Sequence, residues 1–377
     1  MNRHSFHLDE AQTRQDLLTF VRFPWEIYRG DPNWVPPLIK DQLFKLSPSH
    51  PFRLHSEMVL FLARNGERVV GRLAGIVDHH FVEYHGEKTG FFGFFESVQD
   101  AQVPDLLFSG VREWLRQKGM ERMVGPMNPS TNDECALLVD GFGEPPRLMM
   151  PYNPPYYPSL LEKTGLSKVI DLYTYWLEAR SFQQERLAHL TERLLRKEPE
   201  LRIRPIDLNC FPEELKVVRE IYNDAWSRNW GFVPITEAEI EQTAKELKPL
   251  VVPELVLFAY RGDEPVAFSV ALPDYNVVLK RLNGKVGLLG GLKFLYYSKK
   301  INTLRVLLLG VKRDFQKRGI EGLLYFETLK NGLKKGYWQA ECSWILENNL
   351  LMQHGLEAMG AKRRKTYRIY GGPVSRG

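Results

Sequence analysis

The sequence predicts an α/β protein made of two similar domains, each a mixed, mostly antiparallel sheet flanked by helices. Three observations lead there. The chain has 377 residues, room for two domains of about 100–200 residues each. Strand-like and helix-like patterns follow one another in matching order in both halves. Residues 305–324, RVLLLGVKRDFQKRGIEGLL, carry a buried strand, a basic turn with a glycine and the start of a helix.

In the first half, residues 59–64 and 68–77 read as a hairpin turning at Asn65-Gly66. Residues 89–97, TGFFGFFES, are a strand. A helix over 104–118 ends at Gly119, and a strand follows at 120–124. A helix over 155–164 ends at Gly165, before a strand at 167–177. Asp78, His79 and His80 close the second hairpin strand. Neighbouring strand residues point to opposite faces, so the two histidines do not share an ion, and no metal is expected. Residues 182–197 form an amphipathic helix with Leu187, Leu190, Leu194 and Leu195 on one face. It is expected to pack across the domain junction and to end near Pro199.

In the second half, residues 201–206 are a strand, 213–226 and 236–247 are helices, and 255–260 with 265–272 form a hairpin across Arg261-Gly262-Asp263-Glu264. Residues 274–303 are an insertion containing VGLLGGLKFLYY. That run is too short to cross a bilayer and is expected to face the core or act as a lid. The strand 306–311 leads through the basic turn into a helix over 319–335, stopped by Gly336. Its apolar side carries Leu323, Leu324, Phe326, Leu329 and Leu333. A strand at 337–345, a helix at 350–359 capped by Asn348 or Asn349 and closed by Gly360, and a strand at 365–370 complete the chain.

The basic turn holds Lys312, Arg313, Lys317 and Arg318, and Gly319 opens the helix. A strand, a glycine turn and a helix N-terminus aim unpaired N–H groups and the positive end of the helix dipole at an anion. The flanking cations suit a phosphate-rich ligand. Two further basic groups, Lys293, Lys299, Lys300 with Arg305 and the KRRK run at 362–365, read either as solvated faces or as contributors to the same anion binding.

Gln316-Lys317-Arg318-Gly319-Ile320-Glu321 resembles the Q/R-x-x-G-x-G/A signature of the GNAT acyltransferases. It departs at the last small position, which is Glu321, with the glycine one place later at Gly322. ENNLLMQHGLEAMGA is similar to the family's N-x-x-A-x-x-x-Y-x-x-x-G-F stretch, aligning Asn349, Met352, Leu356, Gly360 and Ala361. The family's tyrosine, often the acid for the departing thiolate, is Leu356 here. In the first half LLEKTGL (160–166) resembles the equivalent helix end. The counterpart of the basic turn reads SVQDAQVP (97–104), with Asp100 and neither cation nor glycine.

The resemblance implies two tandem GNAT-like domains: residues 1–180 without a phosphate loop, a linker helix at 181–199, and 200–377 with the acyl-CoA site. It implies that Leu309, Val311, Gln316, Lys317, Arg318, Gly319, Ile320, Gly322 and Asn349 hold acetyl-CoA or another acyl-CoA as co-substrate. Asn349 reads equally as a helix cap. Glu341 and Ser343 lie where the family lines its acyl and acceptor channel. Glu341 is a candidate base, or a salt-bridged surface glutamate. Tyr367, with Tyr337 and Tyr370, replaces the missing acid or packs as a strand aromatic. Asn128, Asn132 and Asp133 in GPMNPSTNDE and Tyr152 in MMPYNPPYYP are expected to bind the acceptor at the junction of the halves.

The implied function is acyl-CoA-dependent N-acyl transfer, acetyl above others, to the amine of a small molecule or peptide. A Fem-like aminoacyl or peptidyl transferase using charged tRNA, and a decayed GNAT-fold binding protein, stay open beside it. Net charge is +5, from 51 basic and 46 acidic residues, too mild to imply nucleic acid. Cys135, Cys210 and Cys342 form neither a metal spacing nor a disulfide framework. MNRHSFHLDEAQTR lacks a secretory core, and no apolar run reaches about 18 residues, so a cytoplasmic protein without a membrane partner is expected. Oligomeric state leaves no mark in the sequence.

Overall fold

A hairpin seeds the first sheet: β2 (Ser56–Asn65) and β3 (Arg68–Asp78) turn at Gly66, whose φ of +58° suits glycine. The coordinates are a computed structural model describing residues 6–287 and 289–375. Contacts divide the chain into two compact units: residues 1–172 with 278–295 and 365–377, and residues 173–277 with 296–364.

In the first unit the strand order is β1 (Phe6–Glu10), β2, β3, β4 (Thr89–Ser97), β5 (Arg122–Gly125) and the end of β15 (Lys362–Pro373). β4 and β5 pair in parallel, so the chain must cross over between them. The crossover is α5 (Gln102–Gln117), whose Val103, Leu107, Phe108, Val111 and Leu115 are buried against Leu73, Val77 and Phe92. Burial of each such side chain contributes about 1.5–3 kcal/mol. Gly71 of β3 admits this helix, since a Cβ there would stand 2.6 Å from Val103.

Helices α1 (Arg14–Arg22), α2 (Pro24–Ile27) and α3 (Ile39–Lys45) precede the hairpin, and the sequence reading did not anticipate them or β1. His79 and His80 do not end a strand. They start α4 (His79–His85), whose cap is Asp78, accepting from the His80 and Phe81 amides. Short strands β6 (Met127–Asn128), β7 (Glu134–Cys135) and β8 (Leu137–Asp140), then α6 (Tyr157–Lys163) and β9 (Ser167–Glu178), follow.

The second unit has the strand order β9, β14 (Gln339–Leu346), β13 (Thr303–Val311), β12 (Glu264–Pro273), β11 (Val256–Arg261) and β10 (Leu201–Pro205). Its helices are α7 (Gln184–Lys197), α8 (Phe211–Ala225), α9 (Glu237–Leu247), α12 (Ile320–Lys334) and α13 (Leu350–Ala358). α12 buries Leu323, Leu324, Phe326 and Leu329 against the sheet, as its periodicity predicts. α7 packs through Leu187 and Leu194. Leu190 and Leu195, expected on the same buried face, are exposed.

Two segments of the expected second domain lie in the first unit. Residues 278–295 are tied there by Trp25 Nε1–H to Asn283 Oδ1 (2.9 Å) and by the Ile39 amide to the Gly284 carbonyl (2.9 Å). Residues 365–377 are tied by the pairing of β15 with β5 and β8. The insertion forms α10 (Asn276–Leu282) and α11 (Gly290–Ser298). Its apolar run does not face a core: Leu289, Leu292 and Leu295 are all more than 60% exposed. Nor do the basic clusters all form solvated faces. Arg305 and Lys365 are buried, the Lys365 ammonium donates to the Glu144 and Pro145 carbonyls, and Arg363 and Arg364 lie over Tyr173 and Trp176.

Candidate functional site

The second unit's sheet splits at one seam. β13 and β14 pair in parallel only from Thr303–Gln339 to Val306–Cys342. Beyond that, β13 runs on to Val311 and β14 to Leu346 without pairing to each other. The register of β13 on β12 slips at the same place, where Val270 faces Leu308 but Ala271 faces Val306. Leu307 is the extra residue of this bulge, and bulges bend and twist a strand away from its line. The β13 edge at Leu307, Leu308 and Leu309 is half-exposed, and its backbone groups lack a strand partner on the β14 side.

The diverging strand leads into the basic turn. Three of the expected residues build that turn. The Arg313 amide and Nε–H donate to Asp224 of α8 at 2.7 and 2.9 Å. Lys312 pairs with Glu220 at 2.6 Å and Glu264 at 3.5 Å. Gln316 Nε2–H donates to the Val311 carbonyl at 3.0 Å. Burial pushes the Asp224 carboxyl up, but the Arg313 hydrogen bonds more than offset this and hold it below its usual value.

Arg318 is exposed, braced on the Asp314 carbonyl (3.0 Å) and over the Phe315 ring. Lys317 is exposed with a left-handed φ of +63° and has no ion pair among the described residues. Gly319 caps α12 at φ +89°, with no side chain to satisfy the helix N-terminus. The Leu323 amide is the first bonded inside the helix, to the Gly319 carbonyl, so the amides of buried Ile320, of Glu321 and of Gly322 have no intrahelical acceptor. A Cβ on Gly322 would meet nothing within 4 Å. The Glu321 carboxylate accepts no hydrogen bond from these amides. The turn is therefore open to an anion, with two cations at its mouth.

The first unit shows the contrast. There Asp100 accepts the Gln102 amide at 2.9 Å at the start of α5. A carboxylate stands at the helix N-terminus that α12 leaves uncovered.

At the root of the seam, buried Arg305 donates its Nε–H to Ser343 Oγ at 3.1 Å, and Glu341 stands in register with Arg305. Glu341 is 1% exposed, which removes the surface-glutamate alternative. Between Glu341 and Ser343, burial and then the Glu341 charge push the Cys342 thiol up to about 12, which disfavours the thiolate form.

Asn349 caps α13, accepting the Met352 amide at 3.2 Å. Leu356 is fully buried. Two tyrosines that the sequence did not single out reach this helix. Tyr325 of α12 donates to Met352 Sδ at 3.5 Å, and Tyr175 lies 3.3 Å from both Gln353 and Glu357. Burial, then the neighbouring Cys342 and Glu321, raises the Tyr325 phenol well above its usual value. Its place on the apolar side of α12 hid it among core residues.

The remaining expected residues lie in the first unit. Asn128 Oδ1 accepts the Phe94 amide at 2.6 Å, and its carbonyl accepts from Lys45. Asp133 accepts from Ser130 Oγ at 2.8 Å and pairs with Lys45 at 3.4 Å, while the Asn132 amide donates to Ser130 Oγ. These three share one polar loop. Tyr152 stands apart, donating to Asp31 at 3.0 Å, with its phenol pushed to about 12 by burial and then Asp31. Tyr367 is buried in β15 opposite Leu138. Among the described residues no His, Cys, Asp and Glu group could hold a metal, and no helix is long and apolar enough to cross a membrane.

No family model matches the chain. It is similar to Protein YghO of Escherichia coli K12, 35% identical over 364 residues, covering 95% of this chain and 93% of that one. It is also similar to the bacterial ceramide synthase of Caulobacter vibrioides, 35% identical over 370 residues, covering 96% and 95%. Among solved structures it resembles a tandem GNAT protein from the clavulanic acid biosynthesis pathway, with a TM-score of 0.59 at 12% identity over 99% of this chain and 100% of that one. It also resembles a GCN5-related N-acetyltransferase from Sphaerobacter thermophilus, with a TM-score of 0.53 at 13% identity over 99% and 96%. At such identities the structural likeness concerns the fold.

Proposed function

The chain has the GNAT fold and belongs to the family that includes the YghO protein and the bacterial ceramide synthase, and from that premise we propose that it is an acyl-CoA-dependent N-acyltransferase acting on a lipid amine. The observation that carries this reading is the seam. β13, which parts from β14 after Val306 and Cys342, leads through the basic turn into the uncapped start of α12. A thioester with a long diphosphate-bearing arm needs such a groove followed by such an anion site.

The Caulobacter relative's name supports a long acyl chain and a sphingoid base in place of acetyl and a small amine. The amides of Ile320 to Gly322, with Lys317 and Arg318, would hold the diphosphate of acyl-CoA. The bound thioester supplies the electrophilic carbonyl. The amine nitrogen forms the new C–N bond, the C–S bond breaks, one amine proton leaves, and the thiolate gains one. Glu341, buried beside Arg305, is the proposed acceptor of the amine proton, directly or through water. Tyr325 is the proposed donor to the thiolate in place of Leu356. With the Cys342 thiolate disfavoured, the proposed transfer is direct, without an acyl-enzyme. Alignment of the two reactants is worth about 7–11 kcal/mol, the larger part of the task.

The test is an assay of the purified chain with acetyl-CoA or palmitoyl-CoA as donor, and sphinganine or a short amine as acceptor. Release of CoA thiol and the amide mass are followed together. Palmitoyl transfer to sphinganine is expected. Absence of thiol release with every pair, together with no acyl-CoA binding, overturns the proposal. Binding without product favours the decayed-enzyme reading that Leu356 suggests.

A further inference from the structure

Between Asp274 and Asp314 the sequence contains no acidic residue, and residues 280–300 alone contain Lys280, Arg281, Lys285, Lys293, Lys299 and Lys300. The same stretch carries the densest group of exposed aliphatic side chains in the first unit: Val286 at 66%, Leu289 at 62%, Leu292 at 66% and Leu295 at 62%. Leu292 and Leu295 are three apart and project from neighbouring positions along α11, and Leu289 immediately precedes the helix. Gly287 and Gly291 stand between them with open space where a Cβ would be. Apolar side chains held in water in such a group mark a surface that something covers.

The charges say what. We propose that the exposed surface formed by Val286, Leu289, Leu292 and Leu295 docks on an anionic lipid bilayer, with these side chains entering the headgroup boundary and the lysines facing the lipid phosphates. The nine-residue α11 is too short to span a membrane, but an interfacial helix needs only one apolar face and flanking cations. Protein–protein interfaces are poor in lysine and rely on aromatic and arginine anchors. This segment is rich in lysine and leucine. Each lysine near a negatively charged leaflet adds attraction that falls off within a Debye length. Lys285, Lys293, Lys299 and Lys300 are exposed, while the Lys280 and Lys293 ammonium groups also donate to the Pro32 and Arg281 carbonyls. The expectation of no membrane partner rested on spanning length, which a surface-lying helix does not require.

The test is sedimentation of the full chain with vesicles of phosphatidylglycerol and phosphatidylcholine, against vesicles of phosphatidylcholine alone, at about 0.1 M salt. Binding to the anionic vesicles, weakening as salt rises, is expected. The double variant Leu292→Glu, Leu295→Glu should lower the bound fraction about tenfold or more, with its urea midpoint unchanged because both side chains are exposed. The charge reversals Lys285→Glu and Lys293→Glu should lower it as well. No binding to anionic vesicles, or a double variant that binds like the unaltered chain, overturns the proposal. So does sedimentation velocity showing a self-associated chain that the same double variant dissociates, since a second copy would then cover the face. No arm of this experiment uses acyl transfer, so it stands or falls apart from that reading.

Discussion

Arg305 donates its Nε–H to the Ser343 hydroxyl at 3.1 Å across the last paired residues of β13 and β14. Both side chains are buried, and so is Glu341, the strand neighbour in register with Arg305. A cation, a hydroxyl and a carboxylate thus sit where the two strands part. Hydrogen bonds from a charged group contribute about 1.5–3 kcal/mol. Arg305→Met keeps an unbranched apolar stem and removes the donors, so unfolding free energy should fall by at least about that amount. The measurement is a urea midpoint at unchanged m-value. A midpoint equal to that of the parent chain would show that the guanidinium adds nothing to the fold.

The cations of the basic turn should divide into two kinds. Lys317 and Arg318 are exposed at the open amides, and a charge-assisted contact to phosphate contributes about 1.5–3 kcal/mol. Lys317→Ala and Arg318→Ala should each weaken acyl-CoA binding about tenfold or more by calorimetry, with stability unchanged. Arg313 instead ties the turn to Asp224 through its guanidinium. Arg313→Ala should weaken binding and lower the unfolding midpoint together. Equal behaviour of all three variants would contradict this division.

Much of this architecture was legible in the residues. TGFFGFFES is β4 to the residue, and the hairpin at Asn65-Gly66 and the helix after Gly319 lie where periodicity and punctuation put them. Gly319 was legible as a cap because only its backbone conformation matters there. The position of Tyr325 was not, since a tyrosine among Leu323, Leu324 and Phe326 reads as core until α13 is seen beside it. Burial of Glu341 was equally hidden, because one strand pattern does not reveal that Arg305 stands on the neighbouring strand. His79 and His80 misled because a run of apolar strand residues gives no stop signal before Asp78, whose capping role shows only in three dimensions. The exposure of Leu292 and Leu295 on α11 is hidden in the sequence for a simple reason: apolar composition says that a face will be covered, not by what.

Tyr325 gives a prediction that separates chemistry from packing. Its phenol lies well above the usual tyrosine value because it is buried, so it keeps its proton throughout the working pH range. As donor to the leaving thiolate it should contribute about tenfold to kcat, less than the usual 10²–10⁴-fold because a raised phenol is a weaker acid. Tyr325→Phe should lower kcat by that factor at nearly constant KM, while its weak bond to Met352 sulfur changes stability by less than about 1 kcal/mol. Full activity in the variant would return Tyr325 to the core and leave the thiolate to be protonated by water.

The helix start in the first unit offers a control on the anion site. Asp100, one residue before the Ala101 cap, accepts the Gln102 amide at 2.9 Å, and losing an ordinary hydrogen bond of this kind costs about 0.5–1.5 kcal/mol. Asp100→Ala should lower stability by about that amount and leave acyl-CoA affinity and stoichiometry unchanged. A second equivalent of acyl-CoA bound by this variant would mean that the carboxylate alone had kept a first-unit site closed.

The pairing of Asp171 with Arg368 in the first unit sets an acid limit on stability. Arg368 Nε and one terminal nitrogen reach the two Asp171 oxygens at 2.8 and 3.1 Å, and Lys168 adds a contact at 2.9 Å. Burial raises the Asp171 carboxyl, but the hydrogen bonds from Arg368 and Lys168 more than offset this and hold it below its usual value. A carboxyl whose folded value is depressed contributes stability above its unfolded value and loses it as pH falls through the folded one. Asp171→Asn should therefore cost about 2–3 kcal/mol near neutral pH. The gap between variant and parent should narrow as pH drops below about 4 and close once the parent's carboxyl is protonated. Urea midpoints measured across that range decide the matter: a gap that stays constant with pH would mean that the asparagine variant loses packing or geometry, and that charge pairing is not what holds β15 to β9.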